Sequence, residues 1–138
     1  MTGSSFAGFL AVRAALVASG CGGSGRQLQS VTLGPPTADA KNFPNGQIPF
    51  VAIGMFSSPP SPVTLTSKDV VWCFGDASGV CAGNIAPSVI VDQNGLAQCG
   101  PTFVGTATVL TGIQSSMMAN PDGPQPLRVF GSAQVSCP

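Results

Sequence analysis

The stretch Val70-Val71-Trp72-Cys73-Phe74 decides how the rest of this chain is interpreted. It contains the only tryptophan, and strand alternation places Val70, Trp72 and Phe74 on one face. An indole buries roughly 200 Å² of surface, so in a small domain built from strands it belongs at the centre of the core. We therefore expect Trp72 to lie between two layers of strands, with the remaining strands packed around it.

The composition of the 138 residues excludes several classes of protein. Charged residues make up 7% of the chain, far below the usual share, and five Lys and Arg balance five acidic residues. This balance provides no long-range field for nucleic acid or for anionic lipid headgroups, so we expect no nucleic-acid partner. Eighteen glycines and thirteen prolines interrupt the chain too often for long helices.

Short alternating segments, separated by turn signals, continue through the rest of the chain. The predicted strands are 28–33, 47–56, 70–74, 89–91, 96–99, 105–110 and 127–137. About seven strands without a helical pattern predict an all-β, two-sheet sandwich over residues 28–138. Inward-facing positions on these strands supply the expected core around Trp72, namely Phe50, Ala107, Val109 and Val129.

The predicted strand 47–56 is apolar on both of its faces. Phe50 and its alternate neighbours form one face, whereas Val51, Ile53 and Met55 form the other. Two interpretations are open: a neighbouring loop covers the second face in part, or that face is an adhesive patch on the surface. Partial cover by a loop is the interpretation that we favour.

The N-terminal segment has the pattern of an export signal. Residues 6–18 are small and apolar apart from Arg13, and Ser19-Gly20-Cys21 follows them. This arrangement resembles a bacterial lipoprotein signal, which implies that residues 1–20 are removed and that Cys21 is acylated. Residues 21–27 would then be a glycine-rich tether to a membrane, with outer-membrane anchoring favoured. The alternative is an ordinary cleaved signal peptide and a secreted or periplasmic protein.

The chain lacks the residues that most catalytic and metal sites require. It has no His, Glu or Tyr, so a cysteine nucleophile would have no imidazole partner. The five carboxylates are scattered among turn sequences, at Asp39, Asp69, Asp76, Asp92 and Asp122. Aspartates in turns usually accept hydrogen bonds from their own backbone. We therefore expect no catalytic residue, no metal and no cofactor.

Four segments in order carry a resemblance to a known family. They are the Val-Val-Trp strand, residues 88–97 with their Asn-Gly turn, Gly105-Thr-Ala-Thr-Val109, and the final Val-Phe-Gly-Ser-Ala strand. Together they resemble the group 2 bacterial immunoglobulin-like domain, found in adhesins of the intimin and invasin type, from Leu28 to Val135. The resemblance implies an immunoglobulin-like sandwich that serves as a spacer, stalk or adhesive module, without shared catalytic residues.

Four cysteines remain once Cys21 is assigned to the leader, and they allow three disulfide connectivities. A zinc site is disfavoured because there is no Cys-x-x-Cys pair and no histidine. In an immunoglobulin-like sandwich the strands that end at Cys99 and Cys137 meet at the same base. Cys73 faces away from Trp72, toward the loop that carries Cys81. We therefore predict Cys73–Cys81 and Cys99–Cys137, and an oxidising compartment.

Two functions remain open from the sequence. The first is a non-enzymatic envelope lipoprotein with a structural, adhesive or protein-interaction role, in which the loops 57–67, 75–84 and 114–126 meet a partner. The second is a glycan-binding sandwich module. Sugar sites need exposed aromatic platforms, and Trp72 is assigned to the core while Tyr is missing, so the first hypothesis is preferred.

Overall fold

The computed structural model describes residues 26–83, 87–115 and 124–138, and over these ranges the chain is all-β without an α-helix. The predicted leader, Cys21 and Asp122 lie outside the described residues. Two short 3-10 turns, Ala40–Asn42 and Pro44–Gly46, interrupt the strands. The strands are β1 (Leu28–Gly34), β2 (Thr37–Asp39), β3 (Ile48–Pro49), β4 (Val51–Phe56), β5 (Val63–Thr64), β6 (Val71–Gly75), β7 (Val80–Cys81), β8 (Val89–Val91), β9 (Leu96–Cys99), β10 (Gly105–Gln114) and β11 (Gln125–Cys137).

The first layer contains β1, β3, β4, β5, β8 and β9. The single strand predicted for residues 47–56 is in fact two strands with different partners: β3 pairs with β9, and β4 lies between β1 and β5. Pro49 has no N–H to donate, and the N–H of Phe50 donates to the Gly95 carbonyl at 2.9 Å. The chain therefore changes partners at Phe50 without turning, and the two strands remain in one layer.

The second layer has the order β2, β11, β10 and β6. The long strands β10 and β11 pair in antiparallel fashion along almost their whole length, and β6 pairs with the other edge of β10. β2 joins the free edge of β11 in parallel, a pairing that the sequence did not predict. In β11, Gly131, Ala133, Val135 and Cys137 face the first layer as their alternation predicts. Leu127 lies on the opposite face, because the pairing register with β10 shifts between Ile113 and Gln114.

The core lies between these two layers, as predicted, with Trp72 at 6% exposure. Phe50, Ala107 and Val109 are buried in the same cluster. The side chain of Gln93, in the turn between β8 and β9, bonds both the N–H and the carbonyl of Trp72, at 3.4 and 3.3 Å. This turn therefore closes over the strand that carries the indole.

One predicted core residue differs from expectation. Val129 is half-buried and packs against the edge of the core cluster. It lies near the start of β11, where it lines an open groove together with Leu28 and Phe56. Val129 therefore packs at the rim of the core rather than at its centre, because alternation gives the face of a strand but not the point along it at which the two layers separate.

A second apolar cluster lies on the opposite face of the second layer. β7 pairs with both β6 and β11, so that β10, β6, β7 and β11 form a closed ring of strands. The ring encloses Leu110, which has no exposed surface, together with Leu127 and Cys81. Gly75 and Gly112 permit this closure, because a Cβ at either position would overlap the carbonyl of Val80 or Val129. Part of the predicted 75–84 loop is thus a covering strand.

Both predicted disulfides are present. Cys73–Cys81 and Cys99–Cys137 have Cα–Cα distances of 5.7 and 5.8 Å. The first joins the covering strand β7 to β6, and the second joins β9 of the first layer to β11 of the second. Two disulfides in a small domain indicate an oxidising, exported environment. Within the described ranges, we find no helix of the length and hydropathy needed to cross a membrane.

Candidate interaction surface

The outer face of the first layer is the most distinctive surface of the molecule, and we call it the bare face. Cross-strand partners share a face, so the register fixes its members. Its members are Ser30, Thr32 and Gly34 of β1, Pro49 of β3, Val51, Ile53 and Met55 of β4, Thr64 of β5, Ile90 of β8, and Leu96 and Gln98 of β9. None of these side chains carries a charge.

Four large apolar side chains on the bare face are open to solvent. Val51 is 47% exposed, Met55 43%, Ile90 44% and Leu96 36%. The favoured interpretation, in which a loop covers the second side of strand 47–56, is therefore wrong for Val51 and Met55. It fits only Ile53, which is half-buried. The adjacent loop supplies β5, which pairs edge to edge with β4 and so extends the layer rather than lying across it.

The three loops that the sequence predicts to meet a partner differ in exposure and in how much of each the structure describes. Most of Ser57–Ser67 is exposed, and it borders the bare face through β5. In the second loop, residues 76–78 form an exposed tip, while Cys81 is buried. Asn84 and residues 116–123 lie outside the described residues. Within the described ranges, the candidate contact surface is thus the bare face with the Ser57–Ser67 loop beside it.

The four described aspartates accept hydrogen bonds within their own turns, as predicted. Asp39 accepts from the Lys41 N–H, Asp69 from the Thr66 N–H, and Asp92 from the N–H groups of Asn94 and Leu96. The described residues contain no group of three or more potential metal ligands. These carboxylates therefore shape turns, each at its own end of a strand.

Asp76 accepts hydrogen bonds that displace its titration. The Ser78 hydroxyl and backbone N–H groups of Ser78 and Val80 donate to its carboxylate. These bonds, the Ser78 hydroxyl foremost, hold the pKa of Asp76 below its ordinary value of 3.8. The arrangement closes the β6–β7 turn, so its effect is on the covering strand rather than on any substrate.

Two of the grooves lined by described residues flank the sandwich. One, of about 540 Å³, lies beside the β6–β7 hairpin and is lined by Phe74 and Phe103 among others. The other, of about 500 Å³, lies at the start of β1 and β11, where Arg26 and Arg128 meet apolar walls. No local pattern predicts the second groove, because its two arginines are about a hundred residues apart in the chain.

Trp72 is the residue on which the glycan hypothesis depends. The indole is 6% exposed and belongs to the core cluster, so it offers no platform for a sugar ring. No known protein family, curated protein or solved structure matches this chain. The resemblance to immunoglobulin-like domains therefore depends on the residues and the strand order of this chain alone.

Proposed function

We propose that this protein is a non-enzymatic, lipid-anchored protein of the cell envelope whose single immunoglobulin-like domain binds a protein partner through the bare face. The observation that carries this proposal is an outer sheet face with no charge and four exposed large apolar side chains. Exposed apolar patches on small secreted domains mark contact sites, because their burial against a partner is favourable.

The strand order supports the immunoglobulin-like part of the proposal. One layer runs from β1 through the β3–β4 strand to β9 and β8, which is the A-B-E-D order of such domains. The other runs from β6 through β10 to β11, which is the C-F-G order, and β2 adds a parallel edge strand. Trp72 occupies the strand equivalent to C, where immunoglobulin domains bury a tryptophan. The disulfide between layers differs, since it joins the strands equivalent to E and G.

The lipid anchor is supported by the sequence around Cys21 and by the exported environment that the disulfides indicate. A glycine-rich spacer precedes β1, which begins at Leu28 on the edge of its layer. Such a spacer leaves the bare face free to meet a neighbour at the membrane surface. The glycan-binding alternative has less support, because the only tryptophan is buried.

Site-specific photo-crosslinking in intact cells tests the contact surface. A photoreactive residue at Met55, on the bare face, is expected to give discrete crosslinked bands. The matched control position is Ser132, which is exposed on the outer face of the second layer, and it should give no such bands. A Val51→Asp substitution, on the same face and the same strand as Met55, should abolish the bands. Equal crosslinking from both positions, or bands that survive Val51→Asp, would contradict the proposal.

Metabolic labelling with a palmitate analogue tests the anchor in the same cells. We expect label on the wild-type protein and none on Cys21→Ser. An unlabelled wild-type protein found free in the medium would show that the leader is an ordinary signal peptide, while the crosslinking result would stand by itself.

A further inference from the structure

The groove at the start of β1 and β11 brings two cations together. Its walls are Leu28, Phe56, Ile113 and Val129, with Gln27 at the rim, and both Arg26 and Arg128 line it. None of these lining residues is acidic. The chain has five cationic side chains, and two of them line this one groove. The groove is therefore locally positive although the net charge of the chain is zero.

Arg26 is held in place by two contacts. Its guanidinium lies over the ring of Phe56, 3.9 Å from the centroid, and one of its nitrogens donates to the Pro60 carbonyl at 2.7 Å. A guanidinium has five N–H donors, so most of them remain available for a ligand. These two contacts restrict the position of the guanidinium, which reduces the freedom that is lost when an oxyanion binds.

The position of the groove relative to the tether identifies the surface it would meet. From Cys21 to Arg26 the chain has five residue steps, which span at most about 18 Å when fully extended. Arg26 lines the groove, so an acylated Cys21 brings the groove to within that distance of the bilayer surface. The opposite end of the molecule is much farther away, because β11 rises about 3.3 Å per residue between Arg128 and Cys137.

We propose that this groove binds the phosphate of an anionic phospholipid headgroup, with the apolar walls accepting the adjoining part of the lipid. Guanidinium groups match the geometry of phosphate oxygens, and the apolar residues between them suit a ligand that is itself amphipathic. The proposal rests on the lipid anchor described above and deepens it. The anchor would thereby hold the domain in one orientation, with the groove toward the membrane.

Vesicle co-flotation tests this proposal without acylation. The chain from residue 21 onward, carrying Cys21→Ser, contains every described strand and would be produced in an oxidising compartment. We expect it to bind vesicles of phosphatidylcholine that contain phosphatidylglycerol, and not vesicles of phosphatidylcholine alone. Arg128→Gln and Arg26→Gln should each weaken binding about fivefold, and added salt should weaken it further.

Lys41→Gln is the matched control, since it removes the same charge at the far end of the molecule, in a cavity beside Cys99 and Pro138. It should leave vesicle binding unchanged, and circular dichroism would confirm that every variant is folded.

Equal loss of vesicle binding in Lys41→Gln and Arg128→Gln, or equal binding to both kinds of vesicle, would overturn the proposal. Full competition by excess inorganic phosphate would also overturn it, by assigning the groove to a soluble anion. A vesicle-binding failure beside a palmitate-labelled Cys21 would reject the groove but not the anchor.

Discussion

The two outer faces of the sandwich differ in whether their apolar side chains are covered. On the second layer, Leu110 points outward but has no exposed surface, because β7 folds across it and Cys73–Cys81 joins β7 to β6. On the first layer, Met55 also points outward but is 43% exposed, and the strand beside it, β5, only widens the sheet. The same fold thus covers one apolar outer position and leaves the other open. This difference is why we assign the contact function to the bare face.

The largest effect that tests this difference in packing is expected from truncating one apolar side chain on each face. Leu110→Ala should lower the free energy of unfolding by about 3 kcal/mol, because it leaves a cavity in an enclosed cluster. Met55→Ala should change it by less than about 0.5 kcal/mol, because the site is open to water. Urea unfolding with both disulfides intact measures both values. Similar losses in the two variants would mean that the faces are equivalent in packing.

The disulfide of the covered face gives the next largest effect. Cys73→Ala combined with Cys81→Ala should lower the free energy of unfolding by about 2.5 kcal/mol, given a sequence separation of 8. Cys99→Ala with Cys137→Ala is the control for a longer loop, and a separation of 38 predicts about 4 kcal/mol. Hydrogen exchange would sharpen the comparison. Loss of Cys73–Cys81 should speed exchange at Leu127, whose N–H donates to the Gly79 carbonyl of the covering hairpin, more than at β1.

The sequence was sufficient for features that depend on alternation and on local turns. The inward face of β11, the turn at Asp92–Gly95 and the burial of Trp72 all follow from short-range patterns. Alternation could not separate Leu110 from Val51, since both are apolar side chains at outward positions of long strands. The difference between them is that the two-residue strand β7, which is remote in sequence, covers Leu110, whereas no strand of the described ranges covers Val51. No local sequence pattern indicates which outward position will be covered.

The grooves and the sheet edges were beyond prediction for a related reason. The parallel pairing of β2 with β11, and the presence of Arg26 and Arg128 in one groove, both join segments that are far apart in the chain. Cys99–Cys137 was predictable because the family resemblance placed the ends of two strands at one base, whereas Cys73–Cys81 followed from the direction in which Cys73 faces and from the short loop to Cys81. Long-range proximity was therefore predictable only through that resemblance.

The smallest effect is expected at the tip of the covering hairpin, where Asp76 titrates. Its pKa is lowered by the Ser78 hydroxyl first and by backbone N–H groups, so its contribution to stability is present above the ordinary value of 3.8. That contribution is lost as the pH falls from there through the lower pKa of the folded state.

Asp76→Asn cannot titrate, so its unfolding midpoint should depend less on pH in this window. Ser78→Ala removes the main cause of the lowered pKa, so its loss of stability should be completed at a higher pH than in the wild type. Because the carboxylate is exposed, both shifts should be slight; superimposable acid-unfolding curves for all three proteins would show that these bonds do not hold the hairpin over Leu110.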